Sequence, residues 1–435
     1  AVVQERRIFG PLGWNIPYEF NDTDLDISKG QLELFLDQYD EIPWRVLNFL
    51  TSYINYGGRV TDYIDIRTID VIIKAFFQPA LLEPNFRFDN EGVFYSLDFD
   101  KEDPYASYLA YIETLPLVAS PSVFGMHENA KIASANAETF TMFSICMSLQ
   151  ASDGGSGGAD DREAMIVATA KEINDAINAK GMFDIEAVGM MYPTVYTESM
   201  NTVLVQECIR YNKLIDIMEV TLPLLMKALK GLVVMSSELE AISNSIALNQ
   251  VPAAWANKAY PSLKPLKPWV DDLMLRLQMV IDWIDSGIPE VFWISGFYFP
   301  QAFLTGSLQN YARKMQYPID TVSFEFIVMK EKWQALKKPE NGVYIRGLFL
   351  EGARYSLEEE SVTDSLPKQL YTDLPVLHLH PVQHRESPTS GVYLCPVYKI
   401  LSRRGVLSTT GHSTNFIMWI ELPSNRTDII NNAGK

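Results

Sequence analysis

FGPLGWNIPYEFN (Phe9–Asn21) and, further along, NYGGRVTD (Asn55–Asp62) carry the most specific pattern in the sequence. Pro11, Gly13 and Pro17 forbid a helix through the first stretch, because proline has no backbone N–H to give and its ring clashes with the preceding turn. Phe9, Leu12, Trp14, Ile16, Tyr18 and Phe20 supply apolar anchors there, so the segment reads as an irregular insert held by aromatic packing. Around it the period is helical. Ser28 and Gln31 form a capping-box pattern ahead of LELFLDQY. Pro43 occupies a tolerated first-turn position before Leu47, Leu50 and Ile54. Gly57-Gly58 breaks that helix, and another helical pattern runs from about Thr61 to Phe77. The opening AVVQERR reads as the interior of a helix, which predicts that the chain is a piece of a longer protein.

Between Glu83 and Pro104 the sequence turns to Pro, Asn and Asp with short aromatic pieces, the first boundary. Asp103-Pro104 opens a helix through YASYLAYIETL, as cap and first-turn residue. A further helix follows FGMHENA to about Leu149, and SDGGSGGADDRE (Ser152–Glu163) reads as a flexible loop. Helical spacing then extends from Ser199 to about Leu248, with Pro223 predicting a kink or two helices meeting there. A helix from about Val270 to Trp283, stopped by Gly287 and Pro289, and a last one in PQAFLTGSLQNYARKMQ close the helical region. After Pro318 the period becomes two. VSFEFIVM, GVYIRGLFLEGARY, LPVLHLHPV, GVYLCPVYKI and NFIMWIEL are β-branched or aromatic runs between turn residues, which predicts a small antiparallel barrel or sandwich. The class is therefore α+β.

A length of 435 residues suits roughly three domains. The apolar fraction of 47% is ample for packed cores, and the formal charge of −18 disfavours nucleic-acid phosphates as partners. Cys146, Cys208 and Cys395 are widely spaced and form no CxxC pair, so reduced thiols in a cytosolic compartment are expected. No signal peptide opens the sequence. The most apolar helical run, VTLPLLMKALKGLVVM, is interrupted by Pro223, Lys227 and Lys230, so no membrane partner is expected.

Catalytic patterns are sparse. The phosphate-cradling G-x-x-x-x-G-K-[ST] is absent, so the chain by itself is expected to bind no nucleotide cofactor. GGSGG (Gly154–Gly158) matches G-x-S-x-G, but a nucleophile at Ser156 needs a strand, a strained turn and a helix around it, and the surroundings are low-complexity. His378, His380 and His384 lie in HLHPVQH. The first two would share one face of a strand as a His-x-His metal site requires, yet no Cys accompanies them and Pro381 separates His384. Arg59, Asp62, Asp65 and Arg67 cluster at the start of a helix, where the two aspartates favour its positive end. Trp293–Gly306, WISGFYFPQAFLTG, reads as a packing joint, with Trp293, Phe297 and Gln301 as its interface candidates. His127 in FGMHENA reads as a helix-entry residue, and STTGHSTNF (Ser408–Phe416) as a hairpin turn rich in hydroxyls.

Taken with YIETLPL, FGMHENA, SLKPLKPW, WISGFYFPQAFLTGSLQNYAR, GVYIRGLFLEGARY, CPVYK and STTGHSTNF, the opening pair of motifs closely resembles dynein heavy chains over nearly the whole sequence. The phrases around FGMHENA and SLDFDKEDPYASYLAYIETLPL look more like the axonemal branch. The resemblance implies that residues 1–90 are the helical lid of the sixth AAA module, 91–317 the helical part of the dynein C-terminal domain, and 318–435 its β-barrel. It further implies that the segment is non-catalytic and braces the ring of a minus-end-directed, ATP-driven microtubule motor in the axoneme of a cilium or flagellum. ATP and Mg would be bound by upstream modules, the partners would be the other AAA modules, and the track would be met through a remote stalk. The acidic surface fits that remoteness, since an acidic microtubule would repel it. Arg59 lies where ring ATPases often place a nucleotide-sensing arginine, the alternative being a salt-bridge net that holds the lid. The sequence departs from the family after YGGRVTD, with Tyr63, Ile66 and a single Arg67, and in its ending, SNRTDIINNAGK. Two competing readings are a stand-alone hydrolase or metal-binding protein using Ser156 or His378, His380 and His384, and a module whose acidic loop Ser152–Glu163 recruits a basic partner.

Overall fold

The structure, a computed structural model, describes residues 14, 16, 18–89, 91–97, 103–117, 119–124, 126, 129–152, 159–388, 390–400 and 415–424. It divides into two compact units, one holding residues up to Met142 with Leu366–Leu370, the other from Phe143 onward.

In the first unit, α1 spans Asp22–Gln38, α2 Trp44–Phe49, α3 Tyr63–Phe76 and α4 Pro104–Thr114. Helix α5, Asn129–Ser152, runs on into the second unit. The capping box sits earlier than Ser28–Gln31. Asn21 Oδ1 accepts the Asp24 N–H and Asp24 Oδ2 accepts the Asn21 N–H, both at 3.1 Å, so α1 begins seven residues sooner. Ser28 and Gln31 are instead spent laterally, accepting from the Asn55 amide at 3.1 and 2.8 Å. That bond ties α1 to the π-helical turn Leu50–Asn55 continuing α2. Asp103 caps α4 through the Ala106 N–H at 3.0 Å, with Pro104 in the first turn, as expected. The Asn129 side chain, at the start of α5, holds the backbone of Leu366, Lys368 and Gln369.

The second unit opens with helices the composition had concealed. Helix α6, Ala159–Lys180, starts within the stretch read as a loop, and α7 is Ile185–Met191. Ile166, Ala170, Ile173 and Ile177 give α6 its buried stripe. The glycines Gly154–Gly158, with Ser156, lie outside the described residues. Of the two outcomes expected at Pro223, a kink or two helices meeting, the second does not occur: helix α8, Ser199–Leu229, continues through it. Leu222 and Leu225, flanking it, are fully buried, so packing outweighs the one backbone bond that proline removes. The helix stops at Gly231, whose φ of +70° suits glycine. Helices α9 (Ser237–Ala247), α10 (Ala253–Ala256), α11 (Leu266–Ser286) and α12 (Pro300–Met315) follow.

Among the described residues ten strands complete the unit: β1 Val291–Trp293, β2 Val322–Val328, β3 Val343–Arg346, β4 Phe349–Glu351, β5 Ala353–Ser356, β6 Ser361–Asp364, β7 Tyr371–Asp373, β8 Leu377–Gln383, β9 Val392–Tyr398 and β10 Phe416–Pro423. They form two four-stranded sheets, β1-β3-β8-β2 and β10-β9-β4-β7, and a ribbon β5-β6. Among the described residues no sheet closes on itself, so the barrel expected from the strand spacing is not formed there. One strand, β1, pairs parallel with β3 from inside the helical region, a contact that local periodicity cannot foretell. Helices and strands share one core, in which Trp255, Trp269, Trp283 and Phe303 meet Ile345, Leu377, Val397 and Ile420. Among the described residues no helix is long and apolar enough to cross a membrane.

Candidate functional site

Each unit contains a polar joint that fixes an irregular segment against helices. In the first unit, Trp14, Tyr18 and Phe20 pack edge-on or stacked with ring centroids 5.6–6.0 Å apart, and Phe20 meets Tyr56 at 5.4 Å. With Val60, Ile69 and Ile73 they form a closed cluster. The charged residues singled out in the sequence surround it. Asp62, buried, caps α3 by accepting the Asp65 N–H at 3.2 Å, while its own N–H donates to the Tyr18 hydroxyl at 3.1 Å. Asp65, fully buried, accepts the Ile16 N–H at 3.2 Å. Burial, with Asp65 nearby, pushes the Tyr18 phenol well above its ordinary value, so it stays neutral. Arg59 pairs with Asp24 at 3.2 Å and reaches the Glu19 carbonyl. Its side chain is half exposed, so that pair adds little. Arg67 lies half-buried on α3. Gly57 has a separate reason: a Cβ there would overlap the Ser52 carbonyl.

The second joint is the passage from β1 to α12. A turn of 3-10 helix, Ile294–Gly296, is gripped from three sides. The Arg276 guanidinium on α11 donates to the Ser295 carbonyl at 2.6 Å, and the Tyr211 hydroxyl on α8 donates to the Gly296 carbonyl at 2.6 Å. Ser295 Oγ donates to the Gly347 carbonyl between β3 and β4. One turn further, the Glu207 carboxylate accepts the N–H groups of Tyr298 at 2.7 Å and Phe299 at 3.2 Å, at the start of α12. An anion there meets the positive helix end. Gly347 has φ +87°, and a Cβ on it would overlap the Trp293 indole.

Arg276 is buried yet compensated. It binds Asp272 at 2.7 Å, lies 3.7 Å from the Tyr260 ring centroid, and shares Asp272 with Lys264 at 2.8 Å. Burial opposes the Asp272 charge, but Arg276 and Lys264 outweigh it and hold that carboxyl below its usual range. Burial raises Glu207, against the pull of its two N–H donors. Phe297 is buried against Phe303 at 5.1 Å and Trp283 at 6.2 Å. Trp293 is half-buried, and Gln301 reaches the Ile417 carbonyl at 3.4 Å.

Chemically, both joints hold position. Burial pushes the Cys208 and Cys395 thiols up to about 12, which leaves them protonated and poor nucleophiles. His378 and His380 share a face of β8, rings 5.3 Å apart, but His378 Nε2 is engaged by the Asn341 carbonyl at 2.8 Å. His384, at φ +52°, lies beyond the strand. Among the described residues no three His, Cys, Asp or Glu side chains gather to hold a metal. His127 lies outside the described residues. Sequence reading missed Glu207, Tyr211, Asp272, Arg276 and Gly347. The available signal was charge on an apolar face: Glu207 follows Val203 and Leu204, and Asp272 and Arg276 interrupt Trp269, Leu273 and Leu277.

An irregular aromatic insert held on a small helical bundle marks the first unit, and helices and sheets around one core make up the second. Residues 1–130 match the family model of the AAA lid domain of the dynein heavy chain, and residues 136–433 match that of its C-terminal domain. The protein belongs to the dynein heavy chain family. It is 49% identical to dynein axonemal heavy chain 1 of Mus musculus over 425 residues, 97% of this chain and 10% of that protein. It is 48% identical to dynein axonemal heavy chain 3 of Homo sapiens, over 98% of this chain and 10% of that one. Dynein axonemal heavy chain 12 of Homo sapiens is 44% identical over 96% of this chain and 13% of its own length. The chain thus spans about a tenth of the length of these relatives.

Proposed function

We propose that this chain is the non-catalytic structural and regulatory C-terminal segment of an axonemal dynein heavy chain, an ATP-driven, minus-end-directed microtubule motor of cilia and flagella. Residues 1–90 serve as the lid of the sixth AAA module, 91–317 as the helical part of the C-terminal domain, and 318–435 as its β-rich part. The segment braces the AAA ring and modulates motor activity. Its partners are the other AAA modules of the same heavy chain. ATP and Mg are held upstream, and the microtubule is met through a remote stalk.

The observation that carries this reading is the double match to lid and C-terminal domain models across the sequence. The grip on Ser295–Phe299 supports the mechanical part. A loop whose carbonyls and N–H groups are taken by side chains from two helices, and whose Ser295 hydroxyl donates to the Gly347 carbonyl of a sheet turn, transmits displacement with little slack. The absence of a phosphate-loop pattern from the sequence fits a segment without turnover of its own. Deleting residues from Pro318 onward in the intact parent motor tests it. Changed ATPase rate, force or velocity is expected; if all three stay unchanged, the regulatory role is wrong.

A further inference from the structure

The motif CPVYK ends in Lys399, a base that takes no part in the grip on Ser295–Phe299. It follows β9 directly, and its backbone N–H donates to the Asn415 carbonyl at 3.0 Å, just ahead of β10. Two residues further on, the Ile417 carbonyl accepts from the Gln301 amide of α12. The base of this hairpin therefore abuts the start of α12, where Glu207 and Arg276 hold the joint. Lys399 is turned inward and only 7% exposed, a rare place for a lysine that nothing pairs. Among the described residues no hydrogen bond or ion pair engages its amine.

The charges that face it come from two helices: Glu207 and Arg210 on α8, and Arg276 on α11. Asp272 is already shared by Arg276 and Lys264, and those two outer charges offset each other. What is left is three cations, Arg210, Arg276 and Lys399, against the one carboxylate of Glu207. Burial and the neighbouring guanidiniums both disfavour a third positive charge, and the Lys399 pKa falls to about 8. Its neutral fraction near pH 7.5 is then roughly a hundredfold that of an ordinary lysine. A neutral amine is a nucleophile, and so little exposure admits only a small, uncharged electrophile. An acyl group on a carrier is too large; carbon dioxide is not. We propose that Lys399 is a carbamate-forming site for CO2, set between the guanidiniums of Arg210 and Arg276. The Nζ lone pair forms a bond to the carbon of CO2, one C–O π bond opens onto oxygen, and an N–H proton leaves to water. The product is an anion where a cation stood. Glu207 and the carbamate then face Arg210 and Arg276, two negative groups against two positive ones.

The test is to equilibrate the purified protein with isotope-labelled bicarbonate and CO2, fix any carbamate by alkylation with triethyloxonium, and map the label by peptide mass spectrometry. Label is expected on Lys399 at an occupancy at least about tenfold above that of the exposed Lys332, Lys337 and Lys338. It should increase as pH rises from about 7 to about 9, as the free base does. Carbon-13 NMR of the untrapped protein should show a carbamate resonance that Lys399→Arg lacks while its circular dichroism and melting stay as in the parent. Because the label is read at each lysine of the parent protein, the outcome does not depend on the variant folding. No label on Lys399, or label no greater than on the exposed lysines, would overturn the proposal.

Discussion

The Glu207 carboxylate accepts the backbone N–H of Tyr298 at 2.7 Å across ninety-one residues of sequence. It joins the first third of α8 to the residue two positions before α12, and the same carboxylate takes the Phe299 N–H. Glu207→Ala would strand both donors in a buried place. A loss of about 2–4 kcal/mol in unfolding free energy by denaturant titration is expected. Glu207→Gln keeps one acceptor and should lose less than half as much. Equal losses would show that the carboxylate's charge, not its acceptor geometry, is what matters.

Arg276 and Asp272 should behave as a coupled pair. Removing the guanidinium in Arg276→Met leaves Asp272 with Lys264 alone and frees the Ser295 carbonyl, at a cost of about 3–5 kcal/mol. The double variant Asp272→Asn, Arg276→Met should cost less than the sum of the singles. A strictly additive double-mutant cycle would deny the coupling.

Gly347→Ala combines a left-handed φ of +87° with overlap on the Trp293 indole. A destabilisation of about 2–4 kcal/mol is expected, accompanied by a shift in tryptophan emission. Gly352, also at positive φ, has nothing within 4 Å of where a Cβ would stand, so Gly352→Ala should cost only the backbone strain, about 1 kcal/mol.

Lys399 provides the pH prediction. It is buried, and burial first, then the neighbouring Arg276, lowers its pKa from 10.5 to about 8. A base depressed in the folded state binds fewer protons there than when unfolded. Stability therefore rises as pH climbs from about 8 toward 10.5 and is lower, by up to about 3 kcal/mol, below that window. The phenols of Tyr211, Tyr260 and Tyr298, all raised by burial, act oppositely above pH 10, so the comparison belongs between 8 and 9.5. Lys399→Met should flatten the rise seen in denaturation midpoints; a rise that persists would assign it elsewhere.

In the first unit, Tyr18→Phe deletes the acceptor of the buried Asp62 N–H and should cost about 1–2 kcal/mol. Trp14→Ala, which opens the centre of the aromatic cluster, should cost about 3–5 kcal/mol. Calorimetric melting of the whole protein reads both, and a Trp14→Ala melt unchanged from the parent would separate the aromatic cluster from the stability of that unit.

Much of the element order was legible because it is written locally. Asp103-Pro104 announces α4, Gly287 ends α11, and the alternation Leu377, His378, Leu379, His380 sets the faces of β8. Helix α6 was hidden because its acidic start adjoins a glycine run, and a composition rule reads both as loop. Of the kink or helix junction expected at Pro223, the junction did not form, because propensity is a weak local term against two fully buried leucines. Of the joint, the aromatic half was visible as a cluster in Trp293–Gly306, whereas its polar half comes from Glu207, Tyr211 and Arg276, scattered along two other helices.

By itself the sequence determined where its segments bury their faces and, through Pro11, Gly13, Pro17 and the Gly57-Gly58 pair, which segments refuse regular structure. These are short-range matters of sterics and periodicity, complete within a dozen residues. The tertiary structure alone decided which distant side chain serves which orphaned backbone group. Glu207 reaches the Tyr298 N–H, Asp65 the Ile16 N–H, and β1 lies parallel to β3, because a buried donor must find an acceptor wherever packing brings one, and no local pattern encodes that partner.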